Sequence, residues 1–258
     1  MMSPRSWFSH AAELPGPGGE NGAMGYLGVR RAVGGIGMVL PLILPLGTWV
    51  LGGPRPFRGT PWRGSMSAYY YTGLRGVFVG SLFAMAVLLL SYRYRKLDAT
   101  LGNVACVAAI VVALFPTNQA NADKTWVTYV HYTFASIFLV TLTVFCACVF
   151  TLSNSPSRPR ADLAQPTVEG AAAGENTSID SRTSAKRQRN TVYYTCAGAM
   201  ALALIAAVVT WITNVWGYSL FVCEAVAVEA FGIAWLIKGE TFLSDARYAK
   251  KHPDEATA

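Results

Sequence analysis

Six apolar stretches dominate this chain of 258 residues. Each satisfies the ~18–20-residue length that an α-helix needs to cross a bilayer. Because hydrocarbon offers no partner to backbone N–H and C=O groups, such stretches must form helices. The sequence therefore predicts an all-α polytopic membrane protein, a bundle of six transmembrane helices. The predicted spans are Ala32–Gly52, Gly73–Tyr92, Ala99–Pro116, Trp126–Leu152, Val192–Ile212 and Tyr218–Ile237.

The segments around these spans are rich in Ser, Pro, Gly, Thr and charge and show no apolar periodicity, which is typical of disorder. We interpret residues 1–28 as a disordered cytoplasmic tail and residues 29–152 as spans one to four. Residues 153–190 are predicted to be a disordered cytoplasmic linker. Residues 191–240 then form a hairpin of spans five and six, and residues 241–258 a second cytoplasmic tail.

The positive charge of the chain indicates how it lies in the membrane. A net charge of +7 in a soluble protein would suggest nucleic acid, but only 14% of residues are charged and 53% are apolar. Lys and Arg concentrate on the side of the N-terminus, as in the pair Arg30-Arg31 and the short turn Arg93–Lys96. Cytoplasmic loops collect these residues. We therefore expect both termini in the cytoplasm, a cell-membrane location, membrane lipids as partners and no nucleic acid.

Cofactor and metal chemistry find no support in the sequence. All five cysteines lie within the predicted spans, where small buried apolar residues are common, and two of the three histidines, His10 and His252, lie in the tails. No phosphate loop, dinucleotide fingerprint or haem attachment motif is present. We expect no cofactor, no metal site and no disulfide framework.

A pair of glutamates, Glu224 and Glu229, lies inside the last apolar stretch. An ionisable side chain at this depth costs on the order of 3 kcal/mol, so it normally faces a protein interior or a wet cavity. With ~1.5 Å of rise per residue, the first lies roughly 9 Å and the second roughly 16 Å below the outer surface. Five residues separate them, about 140° around the helix, so they need not share one partner.

Other polar residues share the outer third of the predicted membrane. Arg75 lies one turn inside the second span, and His131 lies roughly 8 Å along the fourth. The consecutive tyrosines 69–71 cannot all face lipid, so at least one is expected to turn inward. These residues predict an outward-facing polar pocket. The candidate ligand-binding residues are Ser67, Tyr70, Arg75, His131, Glu224 and Glu229.

Structural interpretations of the same residues stand beside this one. Arg75 and Glu224 are also consistent with an ion pair that fixes helix register. His131 is equally consistent with an interfacial histidine bonded to a backbone carbonyl, and the tyrosines with interfacial anchors.

Three functional hypotheses follow. The leading one is a non-enzymatic membrane protein whose pocket binds a lipid headgroup or a small polar ligand. An alternative is a membrane-embedded lipid hydrolase with Ser67 as nucleophile and His131 as base, although no nucleophile-elbow pattern supports it. The third is a proton-coupled transporter in which Glu229 titrates.

The fifth span is rich in small residues at roughly helical spacing, which let helices approach closely. This indicates tight packing inside the bundle or between protomers, so a homo-oligomer is one possibility. The alanines concerned are Ala197, Ala199, Ala201, Ala203, Ala206 and Ala207.

Two segments, Ser65–Gly80 and Glu224–Gly239, resemble a group of uncharacterised bacterial six-span membrane proteins. The shared features are a Ser-x-Ser-Ala-Tyr-Tyr segment before an arginine-containing second span and a glutamate in the last span. The resemblance covers most of residues 28–240 and implies a fold and a membrane location, with no assigned activity. Members of the group often carry an acidic residue after the arginine, where this chain has Gly76.

Overall fold

The computed structural model describes residues 20–51, 62–93, 96–119, 122–151, 172–213 and 217–239. Every regular element within these ranges is helical. The six α-helices are α1 (Glu20–Leu51), α2 (Arg75–Leu90), α3 (Lys96–Leu114), α4 (Trp126–Val144), α5 (Ala172–Thr213) and α6 (Ser219–Lys238). A 3₁₀ helix, Ser67–Tyr71, precedes α2, and a π-helical turn, Phe145–Val149, continues α4.

Five of the helical segments are long and apolar enough to cross a membrane. They are Leu27–Leu51, Lys96–Leu114, Trp126–Val149, Arg187–Thr213 and Ser219–Lys238. The predicted second span is shorter than expected, since α2 has 16 residues. At ~1.5 Å per residue this helix falls short of the ~30 Å hydrocarbon core. The helical membrane class is thus supported, and the count of six spans stays a prediction.

Two helices extend beyond the predicted spans. Residues 172–190 belong to α5, and α1 begins at Glu20. The run Ala185–Arg189 contains strong helix formers, so the turns of an adjacent span continue into it at little cost. Composition alone misses this extension because the run has no apolar face. The remaining tail and linker residues lie outside the described ranges.

The helices form a ring in chain order. Each helix packs against the next one along the chain, and α6 packs against α1 to close the ring. Arg30 on α1 donates to the carbonyl of Lys238 at 3.2 Å, and Lys238 donates to the carbonyl of Phe150 at 3.3 Å. These cations satisfy carbonyls at the C-terminal ends of α6 and α4. We call this the basic end of the bundle, and the opposite end the capped end.

The contact between α1 and α6 is made through glycines. A Cβ atom placed on Gly232 would lie 3.0 Å from the carbonyl oxygen of Gly34 and 3.0 Å from the backbone nitrogen of Met38. A Cβ atom on Gly37 would lie 3.0 Å from the Cα atom of Gly232. The two backbones therefore touch, as small residues permit in membrane helices.

Candidate functional site

Residues 62–74, which we call the cap, fold across one end of the bundle. The backbone N–H of Phe221 at the start of α6 donates to the carbonyl of Gly64 at 2.9 Å. The hydroxyl of Tyr71 donates to the carbonyl of Thr117, beyond the end of α3, at 2.6 Å. The cap is thus bonded to two separate parts of the helical ring.

Aromatic packing fixes the inner side of the cap. The rings of Trp62 and Tyr69 lie 5.4 Å and 5.8 Å from the ring of Phe221. Tyr69 is fully buried, which confirms that one of the consecutive tyrosines turns inward. Burial raises the pKa of its hydroxyl to about 12, so Tyr69 is neutral at physiological pH.

Glu224 on α6 reaches the backbone of the cap. Its Oε2 accepts a hydrogen bond from the N–H of Met66 at 2.6 Å, at the start of the 3₁₀ helix. A carboxylate at the N-terminus of a helical turn accepts from an N–H group that has no partner within the turn. Glu224 is half-buried and its other oxygen, Oε1, has no hydrogen-bond partner among the described residues.

Arg75 does not pair with Glu224 in the structure. Its guanidinium donates to the hydroxyl of Tyr70 and lies 4.1 Å from the centre of the Tyr70 ring. Arg75 is exposed. The two residues form a separate cation–π contact on the surface of the capped end.

His131 is buried in the fourth helix, with 2% of its surface exposed. Its Nδ1 lies 2.7 Å from the carbonyl oxygen of Phe115, which follows the end of α3. Since a carbonyl only accepts, Nδ1 carries the proton, and in the neutral ring Nε2 keeps a lone pair. The backbone of Val112, one turn earlier on α3, is a second hydrogen-bonding neighbour of the His131 ring.

Ser67 is held by a second serine. The Oγ atoms of Ser65 and Ser67 lie 3.1 Å apart, and Ser65 Oγ accepts from the N–H of Ala68 at 3.2 Å. Both serines are buried. Ser65 therefore orients the Ser67 hydroxyl while it caps the 3₁₀ helix.

Ser67, His131 and Glu224 line one cavity of about 60 Å³ beneath the cap. We call it the polar cavity. Its other lining side chains are apolar, and they come from α1, α2, α3, α4, α6 and the cap. In apolar surroundings a hydrogen bond is stronger, and a polar group left without a hydrogen-bond partner costs more free energy.

The structure brings together three of the six predicted site residues. Glu229 lines a different space, an open groove of about 600 Å³ between α1 and α6. Tyr70 and Arg75 contact each other away from both spaces. In the described part of the chain, no group of three or more His, Cys, Asp or Glu side chains is placed to hold a metal ion.

Sequence reasoning anticipated a backbone carbonyl beside His131, but it identified neither that carbonyl as Phe115 nor the N–H of Met66 as the partner of Glu224. The N–H of Met66 and the carbonyl of Phe115 carry no sequence signal, because every residue offers the same groups. The capping role of Ser65, by contrast, had a sequence signal. At the start of a helix a serine commonly accepts a hydrogen bond from the N–H three residues later.

Comparisons with protein-family models, with curated proteins and with solved structures find no match to this chain. The side chains that line the polar cavity and the groove are therefore the guide to its function.

Proposed function

We propose that this chain is an integral protein of the cell membrane that binds a small polar ligand in the polar cavity. The observation that carries the proposal is the convergence of Ser67, His131 and Glu224 in one otherwise apolar cavity. The basic end, with Arg30, Arg31 and Lys238, would face the cytoplasm by the positive-inside rule. Both termini would then lie in the cytoplasm and the cap outside.

The size of the cavity limits the ligand. Its volume is about 60 Å³, and a cavity measured in this way needs about 10–15 Å³ to hold one water molecule. A ligand of a few non-hydrogen atoms fits in this space. A whole lipid headgroup does not, so size favours the small polar ligand among the predicted alternatives.

The polarity of the cavity indicates the chemistry of that ligand. Glu224 Oε1 is an acceptor without a described partner, Nε2 of the neutral His131 ring is a second acceptor, and the Ser67 hydroxyl both accepts and donates. A ligand with several N–H donors and a positive charge complements this set. We assign the ligand to the class of ammonium and the smallest primary amines.

The test is equilibrium binding of radiolabelled methylammonium to the protein in lipid nanodiscs. Wild type should bind it saturably at one site per chain, and Glu224→Gln should weaken binding at least tenfold, because the counter-charge is removed. Glu229→Gln is the matched control, since that residue lies in the groove, and it should bind like wild type. Absence of saturable binding to wild type, or equal binding to Glu224→Gln, would contradict the proposal.

A membrane-embedded hydrolase is the second candidate, favoured by one observation. In the neutral tautomer whose Nδ1 donates to Phe115, His131 has an unprotonated Nε2, as a general base requires, and it shares the cavity with the Ser67 hydroxyl. Covalent labelling by a fluorophosphonate tests it. Labelling that disappears in both Ser67→Ala and His131→Gln would support the hydrolase. Absence of labelling in the wild type would rule the hydrolase out.

The proton-coupled transporter stays a prediction. It assigns proton transfer to Glu229, and the side chain of Glu229 lies in the groove and not in the polar cavity.

A further inference from the structure

The groove between α1 and α6 begins where their glycine contact ends. Gly37 and Gly232 hold the two backbones together, and toward the capped end the helices enclose an open space of about 600 Å³. Pro41 and Pro45 line it on α1, and Glu229 lines it on α6. This volume lies in the range of pockets that hold drug-sized molecules.

The groove faces away from the bundle interior. Leu42, Leu46 and Val222 line it and are each more than half exposed. In a membrane these side chains meet the hydrocarbon of the lipids, so a molecule dissolved in the bilayer has direct access to the groove.

The polar groups of the groove are unusual for a lipid-facing surface. Glu229 is its one charged lining residue among those described, and it has no described hydrogen-bond or ion-pair partner. Because Pro45 has no N–H, the carbonyl of Pro41 lacks its normal helical donor. The groove therefore offers a carboxylate together with a backbone acceptor.

Two indole rings complete the lining. Trp49 lies near the end of α1 and Trp62 belongs to the cap, and both line the groove and are exposed. The Trp62 ring is held by its edge contact with Phe221, 5.4 Å between centroids. Indole faces attract cations, and tryptophan does so best among the aromatic side chains.

We propose that the α1–α6 groove binds a lipophilic cation from the membrane, with the Glu229 carboxylate as its counter-ion. The apolar walls take the body of the molecule, and the carboxylate and indole faces take its charge. A cation pairs with the carboxylate, whereas a neutral acyl chain offers it no counter-charge. This site is separate from the polar cavity in position and in ligand size.

The test is equilibrium binding of radiolabelled tetraphenylphosphonium to the protein in nanodiscs. Wild type should bind it saturably at one site per chain, and Glu229→Gln should weaken binding at least tenfold with an unchanged unfolding midpoint. Glu224→Gln is the control here and should bind like wild type. The roles of the two variants are reversed from the methylammonium experiment, so the two proposals fail independently.

A second variant and a neutral competitor serve as further controls. Ala225→Leu fills the groove without changing charge and should also abolish saturable binding. Triphenylphosphine oxide, a neutral molecule of related shape, should compete poorly. Equal competition by this neutral molecule, or unchanged binding in Glu229→Gln, would overturn the proposal. Cross-linking that shows a second copy of the chain covering the groove in the wild type would also overturn it.

Discussion

At the scale of single residues, Glu224 connects the cap to the bundle and lines the polar cavity with the same carboxyl group. One oxygen accepts from the backbone of the cap, and the other has no described partner. The sequence predicted that Glu224, His131 and Ser67 lie at similar depth, because depth follows from position along each span. It did not predict the partner of Arg75, because that choice depends on where Tyr70 points in the 3₁₀ helix.

Removing the acceptor on Glu224 should destabilise the protein. Glu224→Leu leaves the Met66 N–H without its partner, which costs about 1–3 kcal/mol. Glu224→Gln retains an amide oxygen as acceptor and should cost less. Unfolding by SDS titration, followed by circular dichroism, measures both changes, and equal stability of the leucine variant and wild type would show that this hydrogen bond contributes little.

At the scale of elements, helix positions followed directly from apolar length, while the close contacts between helices did not. Nothing in the sequence singled out Gly34, Gly37 and Gly232 from the other glycines, because a close approach depends on which faces meet. The short α2 shows the same limit, since the predicted span Gly73–Tyr92 includes residues at both ends that are not part of the helix. Its last turn ends before Tyr92, which is fully buried among aromatic rings.

The glycine contact makes a specific prediction about stability. Gly232→Ala places a methyl group 3.0 Å from backbone atoms of α1, which cannot move aside without separating the helices. Overpacking of this kind costs about 1–3 kcal/mol. Gly198→Ala is the matched control, because a Cβ atom there meets nothing within 4 Å.

The same SDS titration compares these two variants. The control should be as stable as wild type or slightly more stable, since alanine is the better helix former. If Gly232→Ala were as stable as Gly198→Ala, α1 and α6 would not be in backbone contact.

At the scale of the whole molecule, the ring of helices separates a basic end from a capped end, and the proposed orientation in the membrane rests on that separation. The cationic side chains Arg30, Arg31 and Lys238 are bonded to helix C-terminal carbonyls at the basic end. The charge bias of the loops predicted this side as cytoplasmic. The hydrogen bonds of these cations to helix ends were not predictable from the sequence, because their acceptors are backbone groups.

Labelling by a membrane-impermeant maleimide tests the orientation. In a variant without native cysteines, a cysteine in place of the exposed Lys124 near the capped end should react in intact cells. A cysteine in place of Arg93, at the basic end, should react only after permeabilisation. The reverse pattern would invert the proposed topology.

Nitrogen NMR of the protein labelled with ¹⁵N-histidine tests the central claim most directly, because it observes His131 inside the polar cavity. With Nδ1 bonded to the carbonyl of Phe115, Nε2 should show the resonance of an unprotonated nitrogen. Methylammonium should shift that resonance saturably in wild type and have no such effect in Glu224→Gln. A proton already on Nε2, or a wild-type resonance that methylammonium leaves unchanged, would contradict a ligand site formed by Ser67, His131 and Glu224.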